Sequence, residues 1–287
     1  MSAVPPFFSE YQQRVDQELR RLVPGHGGRV QESMAYTVHA PSKRVRAVLT
    51  LLCAELCGGS AQRAVAAAAA IELVHASSLI LDDLPSMDDA PLRRGKPSNH
   101  AAFGEAIAIL ASVALLNQAY GALSRAYDPP LAAALASLVS DAVGVDGLVG
   151  GQAEDLLATD QQVSFETLER IHRGKTGALF VASAVAGAST AGGATDHKQW
   201  LAAFAKNLGL AFQIIDDLLD VEGRPEEMGK AAKADVKKTT FVSFSGVAGA
   251  RQLAGELCLT ADRALAPFGR RADRLRALSA FVAGRRA

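Results

Sequence analysis

The sequence predicts an all-α protein, a single-domain bundle of about ten or more helices around a central cavity. Nearly every long segment repeats its apolar residues with helical rather than alternating spacing. Aromatic residues make up only 6% of the 287 residues, and no run of β-branched residues is bounded by turn dipeptides, as a sheet would require. Alanine is abundant, and its small side chain lets helices approach closely. Such a bundle builds its ligand site from side chains on facing helices.

The predicted helices are the segments rich in alanine, leucine and charged helix formers: 9–22, 43–57, 61–84, 101–127, 130–156, 164–190, 196–221 and 247–265. Gly58-Gly59 ends one of them, and Pro129-Pro130 separates two others. Ser164 and Asp196 are the predicted N-caps of the helices that follow them. Because the chain has neither an internal repeat nor a low-complexity linker, we expect residues 1–287 to form one domain.

Charge and cysteine content argue against several classes of protein. The chain carries 30 basic and 30 acidic side chains, a formal net charge of zero, so a nucleic-acid binder is not expected. Cys53, Cys57 and Cys258 lack the ligand spacing of a zinc site and are expected to be reduced thiols of a cytosolic protein. No basic segment precedes an apolar one at the N-terminus, and no uninterrupted apolar run reaches membrane-spanning length. We therefore expect a cytoplasmic protein without a membrane span.

Four carboxylates are concentrated in the stretch "LILDDLPSMDDAPLRRGKPSNH", residues 79–100. Pro85 cannot easily continue a helix, so the preceding helix is predicted to end near Leu84, with Asp82 and Asp83 at its C-terminal end. The helix dipole is already negative there, and adjacent carboxylates repel each other by about a few kcal/mol. A sequence keeps this unfavourable arrangement most readily when divalent cations neutralise it.

A second acidic cluster, "FQIIDDLLDVEG", contains Asp216, Asp217 and Asp220. Asp216 and Asp220 are four residues apart and therefore project from one face of a helix. Two such clusters indicate one shared pocket for metal and an anionic substrate; the alternative is two exposed acidic helix ends on a solvated surface. Magnesium fits best, because there is neither an EF-hand loop nor Cys/His ligand spacing, and Mg²⁺ usually combines one or two carboxylates with substrate phosphates.

Basic side chains suited to phosphate accompany both acidic clusters. They are Lys43, Arg44 and Arg46 in "PSKRVRAVL", Arg93 and Arg94 after the first cluster, Lys175 with Thr176 in "HRGKTGALF", and Lys230 and Lys238 after the second cluster. The segment "HRGKTGALF" is not a Walker motif, because the upstream glycines are missing. The joint placement predicts two diphosphate positions, one bridged through metal and one held directly by Arg and Lys.

In this order, the motifs resemble those of the trans-isoprenyl diphosphate synthases, which join isopentenyl diphosphate to an allylic diphosphate. The segment "DDLPSMDDAPLRRG" is similar to the family's first aspartate-rich motif in its DD-x4-D form, and "DDLLD" is similar to the second. "GGQAEDL", "HRGKTGALF" and "FQIIDDLLD" match further helices of the family. "SKRVR" stands where the family usually has GGKRLRP, without its two glycines and its proline. The resemblance covers residues 40–245.

The resemblance implies a role for each matching residue. The implied ligands of Mg²⁺, about three ions per active site with substrate bound, are Asp82, Asp83, Asp88, Asp216, Asp217 and Asp220. The implied allylic diphosphate site is Arg93, Lys175, Lys230 and Lys238, with Thr176 and Gln213. The implied isopentenyl diphosphate site is Lys43, Arg46, His75 and Arg94. The residues expected to take part in catalysis are Asp82, Asp83, Asp88, Arg93, Lys175, Asp216 and Lys230.

Two serines just before the first motif bear on product length. Ser77 and Ser78 lie five and four residues before Asp82, and in the family bulky aromatic residues here close the pocket early and favour farnesyl diphosphate (C15). Two serines leave it open, so the resemblance implies geranylgeranyl diphosphate (C20), with C15 as the alternative. Deeper residues could still stop growth sooner; they are Phe103, Ile107 and Leu110.

Two other functions, a terpene cyclase and a regulatory subunit, would use related sequences. A class I terpene cyclase would carry an Asn/Ser/Glu metal triad on its second helix, which "DDLLD" is not. A non-catalytic regulatory subunit of a heteromeric synthase commonly loses one aspartate motif, whereas this chain keeps both. Members of the family are usually homodimers, so a homodimer is expected. The basic tail, Arg285 and Arg286, could fold over the site or be disordered.

Overall fold

Helices form nearly all the regular structure of the residues that the computed structural model describes, 5–222 and 238–285. They are α1 (Pro6–Leu22), α2 (Arg29–Val38), α3 (Val45–Leu56), α4 (Ala61–Asp82), α5 (Asn99–Phe103), α6 (Glu105–Ala126), α7 (Pro129–Val143), α8 (Leu148–Leu157), α9 (Phe165–His172), α10 (Ala178–Thr190), α11 (Thr195–Glu222), α12 (Phe241–Ala264) and α13 (Asp273–Ala283). A π-turn, Arg173–Gly177, joins α9 to α10, and a 3-10 segment, Ala266–Ala272, joins α12 to α13. The all-α prediction is confirmed.

Helix α4 lies in the core and ends at the first aspartate motif. It packs against α1, α3, α6 and α10, and its alanine run 67–70 is completely buried. Small side chains at such contacts let backbones come close; at Gly187 of α10, a Cβ atom would clash with the carbonyl oxygen of Thr50 in α3. The abundance of alanine noted in the sequence is therefore explained by close helix packing.

Helices α11 and α12 pack along each other and form a second buried cluster with Leu168 of α9. Ile214, Ile215 and Leu218 of α11 lie in this cluster with Phe241, the first residue of α12. Their burial fixes the rotation of α11 about its axis, and that rotation determines where the intervening aspartates of the second motif point.

Several predicted helices are divided where the sequence places glycine. The predicted helix 101–127 breaks at Gly104, whose φ is +87°, and 130–156 divides into α7 and α8 across 144–147. Ser164 is confirmed as an N-cap, since its hydroxyl accepts a hydrogen bond from the Thr167 amide at 3.1 Å. Asp196 is not a cap, because α11 begins one residue earlier. Helices α2 and α13 were not predicted; α2 follows a glycine-rich segment, and each is short.

A small hairpin departs from the expectation that the chain contains no sheet. Strands β1 (Leu92–Arg93) and β2 (Lys96–Pro97) pair in antiparallel fashion. The two turn residues, Arg94 and Gly95, have φ values of +55° and +75°, the left-handed backbone of a type I′ turn. The hairpin presents Arg93 and Arg94 side by side just after the first aspartate motif.

Three stretches are long and apolar enough to cross a membrane by length and composition: α4, α6 and 129–157. The expectation that no apolar segment reaches this length is therefore wrong. In α4, 78% of the most apolar window is buried inside the protein, against 39% in α6 and 28% in 129–157. Packing in the core accounts for the composition of α4, whereas the other two stretches expose apolar side chains. Cys53, Cys57 and Cys258 are free thiols, as predicted.

Candidate active site

The first aspartate motif begins where α4 ends, as predicted. Asp82 is the last helical residue and Asp83 is the C-cap. The Arg93 guanidinium donates hydrogen bonds to the buried Asp83 carboxylate. Its Nε lies 2.8 Å from Oδ1 and 2.7 Å from Oδ2, and its Nη2 lies 2.6 Å from Oδ1. Burial raises the pKa of Asp83, although the paired Arg93 opposes this effect. Asp83 therefore anchors the hairpin that carries Arg93.

Asp155 of α8, which the sequence analysis did not assign to the site, forms ion pairs with two lysines. The Lys175 ammonium lies 2.8 Å from Asp155 Oδ2 and 3.2 Å from Asp82 Oδ1. The Lys238 ammonium lies 2.9 Å from the same Asp155 oxygen and 2.9 Å from Asp88 Oδ1. Burial alone would raise the pKa of Asp155, but the two lysines lower it below its ordinary value. Asp155 thus connects two of the three lysines predicted for the allylic diphosphate, Lys175 and Lys238, to the first motif.

Lys175 and Thr176 lie on the π-turn between α9 and α10. Single π-turns within helices often occur at functional sites, because they redirect the side chains they carry. Helix α8 approaches this turn so closely that a Cβ atom at Gly151 would clash with the Lys175 backbone nitrogen. The glycines of "GGQAEDL" therefore have a structural reason: Gly151 lets Asp155, one turn further along α8, reach the Lys175 ammonium.

The second aspartate motif divides into residues with different surroundings. Asp217 is buried; its Oδ2 accepts a hydrogen bond from the Phe241 amide at 3.0 Å, at the start of α12, and its Oδ1 accepts one from Gln213 at 3.0 Å. The side-chain amide oxygen of Gln213, Oε1, in turn accepts a hydrogen bond from the Thr176 hydroxyl at 3.0 Å. Asp216 is partly exposed and Asp220 is exposed. The structure therefore places Asp217 among supporting contacts rather than at the surface of the site.

The C-terminal end of the described chain lies over the second motif. Arg285 Nη1 is 2.8 Å from Asp216 Oδ1, and the Arg285 guanidinium lies 4.3 Å from the centre of the Phe212 ring. Part of the basic tail thus folds over the site, which was one of the two possibilities considered. Arg286 and Lys230 lie outside the described residues.

The carboxylates of the two motifs suit a hard divalent cation. Carboxylate oxygens are the ligands that Mg²⁺ prefers, and Asp82 Oδ1 is buried without a hydrogen bond, facing Lys175. Within 5–222 and 238–285, no three His, Cys, Asp or Glu side chains are placed to hold one metal ion together. Asp82 and Asp88 of the first motif and Asp216 of the second would each bind Mg²⁺ together with substrate phosphates rather than as one protein-only site. Asp83 and Asp217 are buried against Arg93 and the α12 N-terminus.

A second, strongly positive pocket gathers the residues implied for isopentenyl diphosphate. Burial lowers the pKa of Arg46 to about 10, and its Nε is buried without a hydrogen-bond partner. Burial and the nearby Arg46 and Arg94 hold the pKa of His75 well below its ordinary value. Burial, with Arg285 close by, also lowers the pKa of Lys43. Cations that repel one another and a buried unpaired donor are what a polyanionic ligand would stabilise.

The two serines considered for product length face different surroundings. Ser77 is buried between α4 and α6, where its hydroxyl lies 2.8 Å from that of Ser112 and each donates to the other's carbonyl oxygen at 3.0 Å. The Ser78 hydroxyl donates to the His75 carbonyl oxygen of its own helix at 2.9 Å. A larger residue at 77 would therefore have to displace α6 or project along the helix interface.

Comparisons with known proteins show the family to which the chain belongs. The polyprenyl synthetase family model matches residues 28–252. A chloroplastic geranylgeranyl pyrophosphate synthase of Capsicum annuum is 42% identical over 263 residues, covering 89% of this chain and 71% of that protein. A dimethylallyltranstransferase of Fischerella ambigua is 38% identical over 287 residues, covering 97% of this chain and 83% of that protein. The chain belongs to the polyprenyl synthetase family. It is a prenyltransferase.

A solved structure supports the same assignment at the level of the fold. The apo crystal structure of an FPP/GFPP synthase from Zymomonas mobilis superposes with a TM-score of 0.87 at 35% identity, covering 97% of this chain and 98% of that chain. The all-α bundle is therefore the isoprenoid synthase fold that the resemblance implied.

Proposed function

We propose that this prenyltransferase condenses isopentenyl diphosphate with an allylic diphosphate in a Mg²⁺-dependent reaction, and that its main product is geranylgeranyl diphosphate. The observation that carries the proposal is the alternation of charge around Asp155, whose carboxylate holds two lysines that also contact Asp82 and Asp88. A separate positive pocket contains Arg46 and His75. The first site suits a diphosphate that leaves with metal, and the second suits a diphosphate that stays attached to its chain.

The residues of this chain account for binding, orientation and charge stabilisation. Bound Mg²⁺ supplies Lewis-acid neutralisation of the diphosphate charge. Arg93, Lys175 and Lys238 stabilise the charge that develops on the departing diphosphate as the allylic C1–O bond breaks. Arg46 and His75 hold isopentenyl diphosphate so that its double bond reaches the allylic cation. The electron pair of that double bond forms the new C–C bond, and the proton then lost passes to the released diphosphate, so no side-chain nucleophile is required.

Two observations support the C20 product: the small side chains of Ser77 and Ser78 before the first motif, and the name of a relative. The Capsicum annuum relative is a geranylgeranyl pyrophosphate synthase, whereas the Zymomonas mobilis neighbour is named for C15 and C25 products. The regulatory-subunit alternative is not favoured, because both aspartate motifs and their cationic partners are present.

Ser77→Tyr is expected to shorten the main product from C20 to C15. The tyrosine ring has no room at the contact with Ser112, so it would have to extend along α4 towards the growing chain. The measurement is chromatography of the dephosphorylated products. Ser112→Ala is the matched control, because it removes the partner hydroxyl without adding bulk and should leave the product at C20. A C20 product from Ser77→Tyr would place the limit on chain length elsewhere.

We also propose a homodimer formed through the outer face of α6. This face exposes Ile109, Leu110 and Val113, which are 43%, 54% and 61% accessible. Val113 lies four residues after Ile109 and three after Leu110, so it shares one side of the helix with both. The stretch 129–157 is likewise apolar, and only 28% of its most apolar window is buried. An apolar face of this kind generally marks an interaction surface, and a second copy of the chain is the proposed occupant.

Sedimentation should give a mass twice that of the 30.0 kDa chain. Val113→Lys is expected to shift the protein towards the monomer, because it places a charge within the apolar face. Leu259→Lys is the control, since Leu259 is equally exposed (60%) but lies on α12. A monomeric wild type would contradict the proposal, as would an unchanged mass for Val113→Lys.

A further inference from the structure

Arg44 lies between two residues implied for isopentenyl diphosphate, yet its own side chain points into the core. Its Nε donates to Asp16 of α1 at 2.9 Å, its Nη2 to the Val38 carbonyl of α2 at 2.5 Å, and its Nη1 to Glu72 of α4 at 3.3 Å. Only 6% of the residue is accessible. The guanidinium is therefore occupied by protein acceptors on three helices and is not presented to substrate.

The backbone of Arg44 is strained. Its φ and ψ are +50° and +34°, in the left-handed region that residues with a Cβ atom rarely adopt. Such a conformation persists only where the surroundings fix it. The two family glycines are replaced here by Pro41 and Ser42, and neither has a positive φ. The left-handed backbone conformation in this segment thus falls on Arg44, where the side-chain hydrogen bonds hold it in place.

Glu72, the buried partner of Arg44, connects two parts of the positive pocket. Its Oε1 accepts the Ala47 amide at 3.3 Å, in the first turn of α3, while its Oε2 accepts Arg44. Glu72 is three residues before His75, so both lie on neighbouring positions of α4. One carboxylate therefore joins the segment that carries Lys43 and Arg46 to the helix that carries His75.

We propose that the Arg44–Glu72 ion pair is the positioning element of the isopentenyl diphosphate pocket. It fixes Lys43 and Arg46 relative to His75 without touching the substrate. The inference rests on the proposed function, because it takes these three residues as the binding site for isopentenyl diphosphate.

The test is direct binding of isopentenyl diphosphate to the full-length protein by titration calorimetry. Without an allylic partner this substrate is not consumed, so affinity is measured apart from turnover. For Arg44→Lys we expect Kd to rise at least about tenfold, because a lysine ammonium keeps the charge but cannot bridge three separated acceptors. In steady state, the KM for isopentenyl diphosphate should rise equally, while the KM for the allylic substrate and kcat change by less than about threefold.

Arg274→Lys is the matched control. Arg274 also ties helices together, through Tyr11 at 2.7 Å and Glu55 at 3.0 Å, at a different helix contact. It should leave the Kd for isopentenyl diphosphate unchanged whatever it does to Tm. A comparable rise in Kd for Arg274→Lys would contradict the proposal, because general loosening of the bundle would then explain the effect.

A second variant keeps the test decisive if Arg44→Lys folds poorly. Glu72→Gln keeps an oxygen for the Ala47 amide but loses the ion pair, and it should raise the Kd for isopentenyl diphosphate with the same selectivity. The double variant should have a Kd for isopentenyl diphosphate no higher than that of the worse single variant, because both substitutions break the same ion pair. The positioning role would be overturned if the Kd for isopentenyl diphosphate were unchanged in both folded variants. It would also be overturned if the affinities for isopentenyl diphosphate and for the allylic substrate fell equally. A wild type that neither binds isopentenyl diphosphate nor forms product would instead overturn the proposed function.

Discussion

Asp82→Asn is expected to lower kcat about 100- to 1,000-fold with little change in thermal stability. The carboxylate lies at the negative end of α4 beside Asp83, and its Oδ1 is buried without a hydrogen bond. Removing its charge relieves the repulsion from Asp83 and also loses the attraction of Lys175 at 3.2 Å and Arg93 at 3.8 Å, so the two effects on stability oppose each other. The substitution also removes a metal ligand at the departing diphosphate. Steady-state kinetics with saturating Mg²⁺ and a melting curve measure the two effects separately.

Asp89→Asn is the control for this substitution. Asp89 is an exposed carboxylate in the same loop, one residue beyond Asp88, and its φ of +45° is one that asparagine tolerates. Its kcat should stay within about threefold of wild type. If Asp82→Asn kept wild-type turnover, or if Asp89→Asn lost as much, the assignment of Asp82 to the reacting diphosphate would be wrong.

Asp155→Asn is expected to lower kcat/KM for the allylic substrate about 100-fold and to destabilise the protein by about 3 kcal/mol. Both lysine ammonium groups lie within 2.9 Å of one Asp155 oxygen. Without its charge they repel each other across a largely buried site. Among the described residues, the ion pairs that remain are Lys175 with Asp82 and Lys238 with Asp88. Kinetics with varied allylic substrate and chemical denaturation measure the two losses.

The neighbouring Glu154→Gln provides the comparison. Glu154 pairs with Arg170 at 3.0 Å on the exposed side of α8, and such surface pairs contribute at most about 1 kcal/mol. Activity should be unchanged. Retention of full activity by Asp155→Asn would show that the lysines hold their places without Asp155.

Much of the architecture follows from patterns that act over short distances. Helical spacing of apolar residues predicted α4 and α11, and Pro85 predicted where α4 ends, because each depends on residues only a few positions apart. The π-turn that carries Lys175 was not predictable in this way. It depends on the close approach of Gly151 from another helix, a contact that the local sequence does not encode.

The site shows the same division between local and distant causes. The aspartates at 82 and 83 look equivalent in the sequence, yet Asp83 is buried against Arg93 while Asp82 faces Lys175. Asp155 was missed because its partners, Lys175 and Lys238, are 20 and 83 residues away. Asp155 lies within "GGQAEDL", the segment that matches a helix of the family. That match was the one signal in the sequence that pointed to Asp155.

The most direct test of the central claim is product formation by the purified protein. It would be incubated with Mg²⁺, isopentenyl diphosphate and, separately, dimethylallyl, geranyl or farnesyl diphosphate, and the dephosphorylated products would be sized. The charge arrangement around Asp155 and the pocket around Arg46 predict condensation that requires both substrates, ending mainly at a C20 alcohol. Products formed without isopentenyl diphosphate would indicate a cyclase, and no condensation with any starter would contradict the account and favour a regulatory subunit.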